Sequence, residues 1–230
     1  MQATEFEFRH RFWVILAVFA AGFACYSLDH RNSAYALAGG SRAGARVVLA
    51  AGALLVIAAA ALRTWASAYL RTLVVKDQRL HADRLVADGP YRYLRNPLYL
   101  GTVALAVCFG LMASRLGFLV IVGGMLLVVY RLIGREEAAL SRSQGSAYDA
   151  YRARVPRLWP ALRPRVSASG TRPEWRQAFT GELMMWGFAL AAATFAVTLD
   201  RRLFYAFLVL GFIGYLPGVR TIIAPSRSHP

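Results

Sequence analysis

Lysine is almost missing from this chain. Lys76 is the only one among 27 basic residues, and the other 26 are arginine. Acidic residues are also few, 12 in 230, which leaves a formal net charge of +15. Cysteine occurs twice, as Cys25 and Cys108, each inside an apolar run and without Cys-x-x-Cys or Cys/His spacing. That pattern argues against a structural zinc site, and no metal is expected. Both thiols read as small buried hydrophobes. Alternation of apolar and polar residues is missing as well. Runs such as Phe118-Leu119-Val120-Ile121-Val122 do not alternate, which argues against a membrane β-barrel. Neither an internal repeat nor a low-complexity tract is visible.

What the chain has in excess is apolar residues, 57% against the 45–50% or so of a soluble domain. Mean hydropathy is +0.42. The excess is gathered into blocks at about 12–28, 47–62, 97–113, 117–134, 181–199 and 203–219. Lipid satisfies no backbone hydrogen bonds, so such blocks cross it as helices, each needing about 20 residues. Arg9, His10 and Arg11 before the first block resemble the start of a signal peptide, but no small-x-small cleavage site follows. An uncleaved first span is therefore expected. The fold class expected is all-α: a polytopic membrane bundle of about six transmembrane helices plus a cytoplasmic interfacial helix over 136–154.

Blocks three and four are separated by little more than Ser114-Arg115, and blocks five and six by Asp200-Arg201-Arg202, so each pair forms a tight hairpin. Both long polar connections, 63–96 and 135–180, then lie on one side. With the termini they carry 20 basic residues, against six on the other side. The positive-inside rule places them in the cytoplasm. The arginines sit between apolar blocks, so membrane lipid is the expected partner and nucleic acid is not. The Arg-rich, Lys-poor and Ala-rich composition points to a bacterial inner membrane.

Two constellations carry chemistry. The first is Asp88-Gly89-Pro90-Tyr91-Arg92-Tyr93-Leu94-Arg95-Asn96-Pro97-Leu98-Tyr99-Leu100-Gly101. Gly89 and Pro90 set a turn, Asn96 is a competent helix N-cap, and Pro97 suits a first helical turn. The second is Arg131, Arg135, Glu136 and Glu137, at the end of the fourth block. Adjacent carboxylates at a membrane boundary are costly unless they meet cations. They pair with Arg135, Arg92 or Arg95, or they hold a cationic cofactor group. The hairpin brings the two constellations together.

These residues, with Leu85-Val86, Gly145, Tyr148, Tyr151 and Val155-Pro156-Arg157, resemble the isoprenylcysteine carboxyl methyltransferase and phospholipid methyltransferase superfamily. The resemblance covers about 76–160. It implies three regions: N-terminal membrane helices at 1–75, a methyltransferase-like core at 76–160, and a C-terminal loop and hairpin at 161–230. It also implies an S-adenosylmethionine site formed by Leu85, Val86, Gly89, Tyr91, Asn96, Pro97, Tyr99 and Glu136. Arg131 or Arg135 would orient the methyl acceptor, and Glu137 or His81 would serve as base for an amine or thiol. The family often has His where this chain has Asn96 and Asp83, which weighs against His-dependent carboxylate methylation.

The activity implied is methyl transfer to a lipid-like or membrane-associated acceptor, a carboxylate or an amine. A carboxylate acceptor needs no base, only a cation to orient it. Sterol-type reductases, which use a nicotinamide cofactor, share a Gly-x-Tyr…Arg-x-Pro-x-Tyr pattern, and a non-catalytic lipid-binding protein is a third reading. The acceptor and the oligomeric state are not legible in the sequence.

Overall fold

The computed structural model describes residues 2–76 and 87–213, with only the backbone for 71–76. The described residues form helices and no named strand. They are α1 (Glu5–Arg9), α2 (Arg11–Ala24), α3 (Ser33–Leu37), α4 (Arg42–Lys76), α5 (Pro97–Met112), α6 (Arg115–Gln144), α7 (Ser146–Arg154), α8 (Trp175–Gly181), α9 (Leu183–Thr198) and α10 (Arg201–Ile213). Arg220 and Arg227, and the end of the sixth apolar block, lie outside the described residues.

Helix starts follow local chemistry. Thr4 and Glu7 close a reciprocal capping box on α1. The Asn32 side chain caps α3, and Ser114 Oγ accepts from the Gly117 N–H at 3.0 Å to cap α6. Pro97 opens α5 as expected. Asn96 does not cap it, because its amide is drawn away to Glu137 and to the Arg157 carbonyl.

Helix α4 packs against α5 and α9, α5 against α6, and α2 against α6. Phe109 anchors one core, its ring meeting those of Phe19, Phe188 and Phe204. Ile121, Met125, Val129 and Ile133 of α6 form a second core with α2 and with Leu158. Large apolar side chains also face outward, among them Val47, Leu54, Leu119, Leu127, Val209 and Leu210. That is the surface a lipid environment stabilises.

Two helices are long and apolar enough to cross a membrane, Arg42–Leu70 and Arg115–Gln144, and α8 with α9 is a third if that pair, bent by 61°, is one span. The remaining blocks fall short of six spans by this measure. α2 has 14 residues and α5 has 16, and at 1.5 Å per residue α5 covers about 24 Å of a hydrocarbon core about 30 Å thick.

The expected interfacial helix over 136–154 is also not continuous. α6 carries Glu136 straight on to Gln144, and Gly145, at φ +54°, breaks the chain before α7. Inside the bundle, a polar cluster is held by its own partners. Arg63 of α4 donates to Glu182 at 2.8 Å and to the Leu98 carbonyl, while Ser67 donates to the other Glu182 oxygen. A cation this deep persists only when paired.

Gly187 and Gly211 let α9 and α10 touch backbone to backbone, and a Cβ on Gly187 would overlap Gly211. Gly187→Leu should therefore destabilise the hairpin by about 2 kcal/mol through overpacking, read as a lower melting temperature in detergent. Gly123→Ala, at a position facing open space, should leave the melting temperature unchanged or raise it.

Candidate functional site

Residues 88–97 make a turn that has no regular partner of its own, so its shape is set by what returns over it. Gly89 sits at φ +57° beneath the Tyr69 ring, a conformation and a space that suit glycine alone. The 155–174 connection then covers the turn. Arg95 N–H donates to the Pro156 carbonyl at 2.9 Å, Ala161 N–H to the Tyr93 carbonyl at 2.9 Å, and Arg165 N–H to the Arg92 carbonyl at 2.8 Å. Arg92 Nε donates to the Val166 carbonyl, and Tyr151 Oη donates to the Tyr91 carbonyl at 2.8 Å. Asp88 is the anchor. Its carboxylate accepts from the backbone N–H of Ser169 at 2.7 Å, from that of Thr171 at 3.0 Å, and from the Ser169 hydroxyl. Burial alone would raise this carboxyl, but the hydrogen bonds from Ser169 and Thr171 win and hold it at about 2.

Glu136 and Glu137 are successive on α6 and point about 100° apart. Glu137 is 3% exposed. One of its oxygens meets Arg95 Nη2 at 3.0 Å and Asn96 Nδ2 at 3.5 Å, and the other meets Arg157 Nη2 at 2.6 Å. Glu136 accepts from Tyr99 Oη at 2.7 Å. Between these groups lies a cavity of about 200 Å³. The α5 start walls it with Asn96, Pro97 and Tyr99, and α6 with Glu136, Glu137, Leu140 and Gln144. Tyr91, Arg95, Tyr148, Tyr151 and Leu70 complete it. Burial raises all three lining phenols outside the helical spans, Tyr148 to about 12 and Tyr91 and Tyr151 further. They remain neutral hydrogen-bond donors near pH 7.

The structure therefore brings Tyr91, Asn96, Pro97, Tyr99, Glu136 and Glu137 together. Gly89 shapes the turn but does not line the cavity. Arg131 and Arg135 do not line it either. Arg131 meets Glu7 at 2.7 Å, an ion pair that, with the Thr4 cap, holds Glu7 at about 2. Arg135 donates to the Ala3 carbonyl and lies over the Phe8 ring. Both arginines thus grip the N-terminal helix. His81, Leu85 and Val86 lie outside the described residues. No local pattern marks Gln144, or Arg157 as a partner for Glu137. Tyr148 and Tyr151, three residues apart on one helix face, were legible as a pair but not as cavity wall.

Residues 47–147 match the family described as Phospholipid methyltransferase. The match runs from α4 through the whole α5–α6 hairpin and contains both constellations. No curated protein and no solved structure matches the chain.

Two substitutions probe the frame of the site. Glu137→Gln should leave the buried Arg95 uncompensated and cost about 3 kcal/mol of stability, seen as a lower melting temperature. The folded Asp88 carboxyl lies below its ordinary 3.8, so the stability it contributes is present above about pH 4 and is lost as pH falls towards 2. Asp88→Asn should remove that acid-dependent loss, measured as the difference in melting temperature between pH 5 and pH 2.5.

Proposed function

We propose that this chain, whose residues 47–147 match the phospholipid methyltransferase family, is a membrane methyltransferase that takes its methyl group from S-adenosylmethionine and passes it to a lipid-like acceptor. The observation that supports this best is the Tyr99–Glu136 pair set in the cavity that both constellations wall. The residues present suit the cofactor. The cavity offers a carboxylate for a cation, aromatic faces, and two buried polar atoms with no partner among the described residues, Arg95 Nε and Gln144 Oε1. When bound, the cofactor supplies an electrophilic methyl on a sulfonium centre.

Glu136 would hold that cationic centre, its carboxylate oriented by the hydrogen bond that Tyr99 donates. Tyr91 and the backbone at Asn96 and Pro97 hold the ligand in place, so that positioning supplies most of the rate gain for an in-line displacement. Leu85 and Val86 join them on the strength of the resemblance. Glu137 is committed to Arg95 and Arg157, so Glu136 is the carboxylate available to the reacting groups. Arg131 and Arg135 hold α1 against α6 and do not touch the acceptor. The acceptor approaches along the bilayer beside the α5–α6 hairpin, and the cofactor comes from the cytoplasmic side, where the arginine-rich connections lie.

Calorimetric titration of the detergent-solubilised protein with S-adenosylmethionine should show binding. Tyr99→Phe, which removes only the hydroxyl, should weaken it by about threefold to tenfold. Absence of binding by a protein whose helical circular dichroism is intact, or thermal stabilisation by a nicotinamide cofactor alone, would contradict the proposal.

A further inference from the structure

Arg63 and Glu182 form an ion pair inside the bundle that the proposed reaction does not use. Arg63 lies within the Arg42–Leu70 span, and Glu182 lies at the break where α8 bends into α9. The Glu182 side chain is only 9% exposed. A buried ion pair is commonly no more stabilising than apolar side chains of similar volume, so packing alone does not account for it. The guanidinium shows what else the pair does. Arg63 Nε donates to Glu182 at 2.8 Å, while Nη1 donates to the Leu98 carbonyl at 2.8 Å and to the Thr102 hydroxyl at 3.1 Å. Ser67 donates to the second Glu182 oxygen at 2.7 Å.

One end of this chain of contacts is the first turn of α5. Leu98 lines the cavity together with Pro97 and Tyr99. Gly101 lets Arg63 cross that turn, because a Cβ there would lie 2.5 Å from Arg63 Cγ and 2.6 Å from Cδ. Tyr99 leaves the same turn towards α6, where its hydroxyl donates to Glu136 at 2.7 Å. The start of α5 is thus pinned twice, by Arg95 and Asn96 on Glu137 just before it and by Arg63 within it. The other end of the chain is Glu182, which lies beyond the matched residues 47–147. One turn further along α9, the Trp186 indole N–H donates to Thr64 at 3.0 Å and fastens α9 to α4 beside the pair.

We propose that Glu182 is a positioning residue for the cavity. Through Arg63 it fixes the first turn of α5, and with it the Tyr99 hydroxyl against Glu136. This inference rests on the cofactor reading above. The carboxylate orients the guanidinium, and the planar fork of the guanidinium turns that orientation into a fixed place for Leu98 and Thr102. A lysine ammonium lacks the fork that spans both partners. The C-terminal hairpin therefore sets the geometry of the cavity without lining it.

Binding of S-adenosylmethionine to the full chain in detergent tests this. Arg63→Met combined with Glu182→Leu removes both charges and keeps apolar volume in their place. The melting temperature should be unchanged or higher, while the dissociation constant should rise about threefold to tenfold. Arg63→Lys keeps a cation for Glu182, loses the fork, and should show the same loss of affinity. Because the effect runs through Tyr99, adding Tyr99→Phe to the paired variant should weaken binding no further than Tyr99→Phe alone. A merely structural role would multiply the two losses. The inference is overturned if the paired variant binds like the native protein, or if the losses multiply. Should the paired variant not fold, Arg63→Lys with and without Tyr99→Phe decides by the same two readings. If the native protein binds no S-adenosylmethionine, the cofactor reading fails and the inference with it. If the native protein and these variants bind it equally, only the inference fails.

Discussion

A single buried carboxylate, Glu137, ties three parts of the chain together. It belongs to α6, receives Arg95 from the turn before α5, and receives Arg157 from the connection after α7. A buried charge so placed is tolerable only while its partners stay. Loss of the carboxylate leaves both arginines without their counter-charge, and loss of either arginine leaves one carboxylate oxygen without that partner. Beyond one short 3-10 turn at Gly89–Arg92, the 88–97 segment depends for its shape on this clamp and on the backbone hydrogen bonds that the 155–174 connection lays across it.

The clamp also divides labour between two neighbouring residues. One step along a helix turns a side chain by about 100°. With Glu137 fixed towards the arginines, Glu136 is turned towards the cavity and Tyr99. The same logic recurs elsewhere. Arg63, Glu182 and Ser67 neutralise one another inside the bundle, and Arg131 and Glu7 bind the N-terminal helix to α6. Each charge in these pairs is matched by an opposite one, whereas Glu136 at the cavity has the Tyr99 hydroxyl and no ion-pair partner among the described residues.

The outline of the fold was legible because lipid enforces a simple rule. The apolar blocks became helices, and the α5–α6 hairpin that joins the two constellations followed from the short Ser114-Arg115 break. Lengths were less legible. Hydropathy does not reveal that α5 stops at Met112 or that α6 runs past the boundary to Gln144, since Glu136 through Gln144 reads as polar surface until its contacts are seen. At the site, the Tyr and Arg density of 91–99 was visible, but individual partners were not. Asn96 is a good cap by type, yet its amide is used 41 residues away at Glu137. Arg131 sits near the carboxylate pair in sequence, yet it turns to Glu7 from the far end of the chain. Long-range pairing of this kind has no local signature.

A structure of the protein with S-adenosylhomocysteine bound tests the central claim most directly. The account predicts ligand density along the α6 face between Glu136 and Gln144, with Glu137 still held by Arg95 and Arg157. Ligand found elsewhere, or Glu137 released from both arginines to contact it, would contradict the account.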